Sequence, residues 1–536
     1  MSLRLKKLEL SIALALSMGA QQANAQFDLM MNLSTLDSLN GLVINGVNSG
    51  DHSGRSVSNA GDVNGDGIDD VIVGALGANP NGNSYAGSSY VVFGSDSGLP
   101  NPLNLSDIDG LNGFVINGAN LNDHSGSSVS AAGDVNGDGI DDLIVGAESA
   151  QPNDNFAAGS SYVVFGSNTG LPNPLNLSDI DGLNGFVING ENSDDYLGHS
   201  VSAAGDVNGD GIDDVIMGAW GADPNDNSSA GSSYVVFGSD TGLPNPMNLS
   251  DINGSNGFVI NGVNAFDKSG FSVSAAGDIN GDGIDDVIVG AGEASPNGYV
   301  YAGSSYVVFG SDTDLPNPLN LSDIDGLNGF VINGINALDG SGYSVSSAGD
   351  VNGDGIDDVI VGAWGADPNG DSVAGSSYVI FGSDTGLPNP MNLSDINGSN
   401  GFVINGVNPS DQSGFSVSAA GDINGDGIDD VIVGAKGVDQ NGNTSAGSSY
   451  VVFGSNTGLP NSLNLSDIDG SNGFVINGEN SDDYLGHSVS AAGDVNGDGI
   501  DDVIVGAWGA DPNDNSSAGI SYVVFGSDII FKEGFE

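Results

Sequence analysis

The 536-residue chain contains no cysteine, so no disulfide staples it and cohesion has to come from packing, backbone pairing or bound ions. Basic residues are almost as scarce. Lys and Arg number 7 against 70 Asp and Glu, a formal net charge of −63. A surface this acidic repels phosphate backbones and anionic lipids, which argues against nucleic acid as a partner. Histidine occurs only at His52, His124, His199 and His487. These are copies of repeat positions rather than a catalytic constellation, and nothing marks one serine as a nucleophile. No segment beyond the N-terminus is long and apolar enough to span a bilayer, and helical periodicity is absent from the apolar runs.

The N-terminus itself has a basic start (Arg4, Lys6, Lys7), an apolar stretch over residues 10–20 and the small-x-small triplet Ala23-Asn24-Ala25. This pattern predicts a signal peptide over residues 1–25 that exports the chain to the outside of the cell or its surface. Once it is removed, the only bases left are Arg55, Lys268, Lys436 and Lys532.

What the chain has in abundance is repetition. The decapeptide "GDVNGDGIDD" at residues 61–70 recurs almost letter for letter, with its first aspartate at Asp62, Asp134, Asp206, Asp278, Asp350, Asp422 and Asp494, 72 residues apart. Gly, Pro, Asn and Asp punctuate each period into four strands, at residues 200–205, 213–219, 232–238 and 185–190 in one copy. The second and third are apolar nearly throughout, as in a sheet covered on both faces. The first, "SVSAAG", is built from small residues, which suits strands crowded around an axis. Seven such units predict an all-β, seven-bladed propeller of four-stranded blades over residues 26–528, with 529–536 as a tail. An open solenoid is the competing architecture. The ends favour a ring: "NGLVING" at 40–46 is a fourth strand with no unit before it, and "ISYVVFG" at 520–526 a third strand with none after it. Pairing residues 42–45 with that last strand would close the ring as a monomer and remove both bare edges.

Counted from its first aspartate, the recurring decapeptide places carboxylates at positions 1, 5 and 9, an amide oxygen at 3 and a backbone carbonyl at 7, a donor set suited to calcium. The first copy offers Asp62, Asn64, Asp66, the carbonyl of Ile68, and Asp70. The second and third offer Asp134, Asn136, Asp138, Ile140 and Asp142, then Asp206, Asn208, Asp210, Ile212 and Asp214. The fourth and fifth offer Asp278, Asn280, Asp282, Ile284 and Asp286, then Asp350, Asn352, Asp354, Ile356 and Asp358. The last two offer Asp422, Asn424, Asp426, Ile428 and Asp430, then Asp494, Asn496, Asp498, Ile500 and Asp502. Seven calcium sites are therefore expected. An EF-hand would need an acid at position 12, where this chain has Val73 and its equivalents, so that motif is excluded. Asp69 and its equivalents at position 8 are left outside the ligand set.

With this loop in phase seven times, the chain resembles the FG-GAP repeats of the integrin α-subunit β-propeller and its bacterial relatives. The resemblance implies the propeller and a calcium loop between the first and second strands of each blade. Its flanking signatures are degenerate: the expected phenylalanine is replaced by Arg55, Ser127, His199, Tyr343 or His487, and survives as Phe271 and Phe415. Receptor signalling is not implied, because nothing here corresponds to the stalk or transmembrane segments of integrins.

The copies differ mainly in the links between strands four and one and between strands two and three, which would share the face opposite the loops. Aromatic residues gather in those links, and Tyr196, Trp220, Trp364, Tyr484 and Trp508 are the candidate ligand-binding residues. The expected function is a secreted, calcium-binding adhesion or ligand-binding module with no catalysis of its own, its partner an extracellular protein or glycan. The alternatives are a lectin-like carbohydrate binder, a matrix protein and a propeller hydrolase.

Overall fold

Runs of Val, Ile, Tyr and Phe bounded by Gly and Asp favour extended backbone, and in the computed structural model, which describes residues 29–313 and 315–527, they form seven mainly antiparallel sheets set around one axis. The expected signal peptide and tail lie outside these residues. Blade one runs outward from Ser56–Gly61 through Asp70–Ala75 and Ser88–Val92 to Gly113–Asn117. The same order recurs in every blade, so the fold is an all-β, seven-bladed propeller.

Each blade has five strands, not four. The fifth is only two or three residues long and runs parallel to the fourth: Leu175–Asn176 lies against Ile116 and Asn117 of blade one. It is lent by the following blade, from the link between that blade's third and fourth strands. Asn173 secures the loan, its Oδ1 accepting the N–H of Val115 at 3.1 Å. A dipeptide is too short to show a period of two, which is why sequence patterning gives no hint of it.

The chain's two ends meet in this scheme. Gly41–Asn45 pairs antiparallel with Ile520–Val524, Gly41 opposite Val524 and Asn45 opposite Ile520, and becomes the fourth strand of blade seven. Just upstream, Met30–Asn32 lies parallel to Val475, Ile476 and Asn477 as the fifth strand of blade six. The seam is thus held in two neighbouring blades.

Packing explains why the second strands are apolar on both sides. Seven apolar clusters each lie between two adjacent blades; one joins Ile72, Val91, Phe114 and Ile116 of blade one to Val129, Val145, Tyr162 and Val164 of blade two. Near the axis the blades are tied by two rings of hydrogen bonds. At one end, the Ser56 hydroxyl accepts the N–H of Val129 at 3.1 Å, Ser128 that of Val201, and so on until Ser488 accepts from Val57. At the other end the linking side chain is an aspartate of the acidic loop. Small first-strand residues let the blades approach closely enough for both.

Acidic loops on one face, an aromatic and basic centre on the other

Every acidic decapeptide spans the turn from the first to the second strand. Asp62 folds back on the loop, its two carboxylate oxygens accepting the N–H groups of Asp66 at 2.9 Å and Gly67 at 2.7 Å, while Asp66 accepts from Ile68 at 3.0 Å. Asp70 opens the second strand and is completely buried. It accepts the N–H of Gly94 at 2.9 Å and of Val63 at 3.2 Å, with the Asn64 amide 3.2 Å away. Burial, reinforced by the facing Asp66 and Asp62 carboxylates and opposed by these N–H donors, pushes the Asp70 pKa up to about 8. Asp142, Asp214, Asp286, Asp358 and Asp502 are raised to the same value, and Asp430 also rises well above the usual range. Position 12 is fully buried apolar core in each copy, as at Val73 and Met217.

As they stand, no three acidic or imidazole side chains among the described residues are gathered tightly enough to enclose an ion. The donor set nevertheless suits a hard divalent cation. Each carboxylate oxygen bound to an N–H retains a second acceptor direction, and a cation would offset the burial, and the lesser like-charge contact, that raise the position-9 group. Asp62, Asn64, Asp66, the Ile68 carbonyl and Asp70 would hold it, with the equivalent five residues in each later copy.

Position 8 has a role that sequence reading misses. The Asp141 carboxylate accepts the N–H of Asp62 from the preceding blade at 2.8 Å, and this contact passes around the whole ring until Asp69 accepts from Asp494. Gly61 precedes Asp62 because any Cβ there would collide with the Asp141 carboxylate, and its φ of 69° is itself unfavourable to other residues. Seven side chains that look like spare acidity are clamps between blades.

On the opposite face, the residues at the phenylalanine-signature position, whether phenylalanine or its replacements, converge on the axis. Ring centroids lie 4.5 Å apart for His199 and Phe271, 4.8 Å for Phe271 and Tyr343, 5.0 Å for Tyr343 and Phe415, and 5.1 Å for Phe415 and His487. Arg55 closes on His487, Nη1 to Nε2 at 3.4 Å. All three Lys and Arg side chains among the described residues stand here: Lys436 over Phe415 at 3.1 Å, Lys268 over Trp220 at 4.9 Å and Arg55 over Trp508 at 5.9 Å. Burial and then Arg55 lower the Lys436 pKa to about 8. The neighbours that meet in this ring are 72 residues apart in sequence, so their contact leaves no local signal.

The five aromatic candidates divide. Tyr196 lies flat on Trp220, centroids 4.7 Å apart with planes 7° from parallel, and Tyr484 on Trp508 at 5.2 Å and 5°. The Nε1 atoms of Trp220 and Trp508 are buried. Trp364 has no tyrosine stacked flat on it, because Gly340 occupies that repeat position; Tyr343 meets it edge-on instead, centroids 5.9 Å apart. In the preceding link Asp51, also buried, accepts the N–H of Asn48 at 3.0 Å and so closes a turn.

A ring of repeated blades with one acidic loop apiece defines a class of repeat propeller. FG-GAP repeats match residues 53–92, 125–164, 197–236, 269–308, 341–380, 413–452 and 485–524, and the chain belongs to that family. It is similar to integrin alpha pat-2 of Caenorhabditis elegans, 34% identical over 45% of this chain and 18% of that protein. It is also similar to integrin alpha-5 of Xenopus laevis, 28% identical over 46% of this chain and 20% of the relative. A third relative is the phosphatidylinositol-glycan-specific phospholipase D of Bos taurus, 36% identical over 31% of this chain and 18% of the enzyme. The matched part is thus about a fifth of each of these relatives. No helix among the described residues is long and apolar enough to cross a membrane.

Proposed function

We propose that the chain is an exported, calcium-binding propeller that works as an adhesion or ligand-binding module, its loops holding calcium and its opposite face meeting the partner. The observation that carries this is the sevenfold recurrence of a buried position-9 aspartate whose pKa is raised beside two more carboxylates. Such a group is costly to ionise without a counter-charge, and calcium is the cation that oxygen donors in this order suit. Similarity to integrin α-subunits supports the adhesive role. Calorimetric titration with calcium tests the metal part, with about seven sites expected per chain; absence of binding at millimolar calcium refutes it. Capture of extracellular protein or glycan, with and without calcium, tests the partner part.

Similarity to a phospholipase D favours a second reading, a hydrolase. Hydrolysis of a phosphatidylinositol-glycan substrate by the purified chain, abolished by one point substitution, would establish it over the adhesive reading.

A further inference from the structure

Internal repeats let one copy of a site serve as the control for another. In repeats three and seven the chain stacks its own tyrosine on its own indole, Tyr196 on Trp220 and Tyr484 on Trp508. Repeat five keeps the indole, Trp364, but has Gly340 in place of the tyrosine, and the preceding repeat has Gly292 where repeats three and seven carry Trp220 and Trp508. The two glycines leave a cleft of about 620 Å³ lined by Trp364, Tyr343, Phe271, Tyr301, Leu338 and Lys268. A Cβ on Gly340 would lie 3.2 Å from the Trp364 Nε1, so the missing side chain would start against the indole.

The rim identifies the occupant. In the sister repeats the residue two before the tyrosine is Asp194 or Asp482; here it is Leu338, 64% exposed. Its N–H donates to the carbonyl of Val300, and Val300 and Tyr301 are also about half exposed. The nearest cation, Lys268, is already paired with Glu293 at 2.8 Å. An apolar rim beside an open indole matches a flat hydrocarbon ring. Asp367 and Ser372 also line the cleft, but Asp367 already accepts the N–H of Val373 at 2.6 Å, so the open indole and its apolar neighbours are the larger part of what a ligand meets.

We propose that this cleft binds an aromatic side chain, Tyr or Phe, of a partner polypeptide, stacked on Trp364 where Tyr196 and Tyr484 stack in the sister repeats. The proposal refines the ligand-binding reading by naming the class of ligand, and it does not depend on calcium, since the cleft lies on the face away from the loops.

The test uses p-cresol as the isolated ring and methyl glucopyranoside as the competing chemistry. Because the chain has only 3 tryptophans, Trp220→Phe with Trp508→Phe leaves Trp364 as sole reporter. Its emission should change saturably with millimolar p-cresol and not with the glucoside. Gly340→Tyr should weaken that response about tenfold by filling the slot. That substitution is compatible with the backbone: φ is 62° at Gly340, 58° at Tyr196 and 56° at Tyr484. Should the tryptophan replacements unfold the protein, saturation-transfer NMR of p-cresol on the otherwise unaltered chain, with and without Gly340→Tyr, reads the same contrast. A response to the glucoside alone, a non-saturating response, or equal binding by Gly340→Tyr overturns the proposal. Failure of calcium binding with p-cresol binding intact would refute only the metal part of the broader reading.

Discussion

The two faces of this ring are built under opposite rules. On one face the same ten residues recur seven times with hardly a change, and the clamp from position 8 to the neighbouring loop is made in every blade. On the other, one repeat position near the axis is Arg55, Ser127, His199, Phe271, Tyr343, Phe415 and His487 in turn. Uniform positions answer to a requirement shared by all blades, namely the clamp between neighbours and the burial of Asp70 and its equivalents. Varied positions answer to a shape that exists only once, at the centre of the assembled ring. On the proposed reading, the uniform face governs stability and the varied face is where one ligand can be told from another.

Chelation should break the symmetry most strongly. A site filled at a hundredfold above its dissociation constant contributes about 2.7 kcal/mol, and several such sites should make excess EGTA lower the melting temperature more than any single substitution, by calorimetry. An unchanged melting curve would remove calcium from the account. Next in size, Asp214→Ala should cost about 3–5 kcal/mol in calcium buffer, because it deletes a buried acceptor along with the ion it would bind. One site should vanish from the titration, leaving the rest intact. Asp213→Ala separates clamp from cage: loss of its bond to the Asp134 N–H should cost about 1–3 kcal/mol while the number of bound calcium ions stays the same. If it removes a site instead, position 8 is a ligand after all.

The smallest effect belongs to the varied face. Burial, with Arg55 and Lys436 nearby, lowers the His487 pKa to about 3. The unfolded chain takes up a proton near pH 6.5 that the folded chain refuses, so this residue costs stability as the pH falls below 6.5, by up to about 2 kcal/mol at pH 5. His487→Phe copies the residue found at this position in repeats four and six and should flatten that part of the pH dependence. Equal slopes for the two proteins between pH 7 and 5 would show that the imidazole is not held neutral.

How much of this could be read beforehand follows the same division. The period of 72, the small-residue first strands and the loop donors are local patterns, and the propeller and candidate ligands were legible from them. The loaned fifth strand, such as Leu175–Asn176, was not, since its pairing partner lies in another blade and a dipeptide has no period. Asp213 looked like surplus charge because its acceptor role is exercised on the blade before it. Among the candidate ligand-binding residues, Trp220 and Trp508 are each covered by a tyrosine of their own repeat, and it is the residue absent at Gly340 that leaves a cleft beside Trp364.

The pairing of Gly41 with Val524 has a consequence for the order of assembly. Joining chain segments about 480 residues apart costs about 5 kcal/mol of loop entropy if the intervening chain is still flexible, and far less once six blades have stacked into an arc that brings the ends together. The seam should therefore be the last joint to form. Until it does, the outer edge of Ile520–Val524 is a bare strand template for another copy of the chain. A ring of this kind has to be completed with both its ends on the same side of any membrane that it crosses, so the time between arrival of the first strand and arrival of the last is the interval in which it is most open to aggregation.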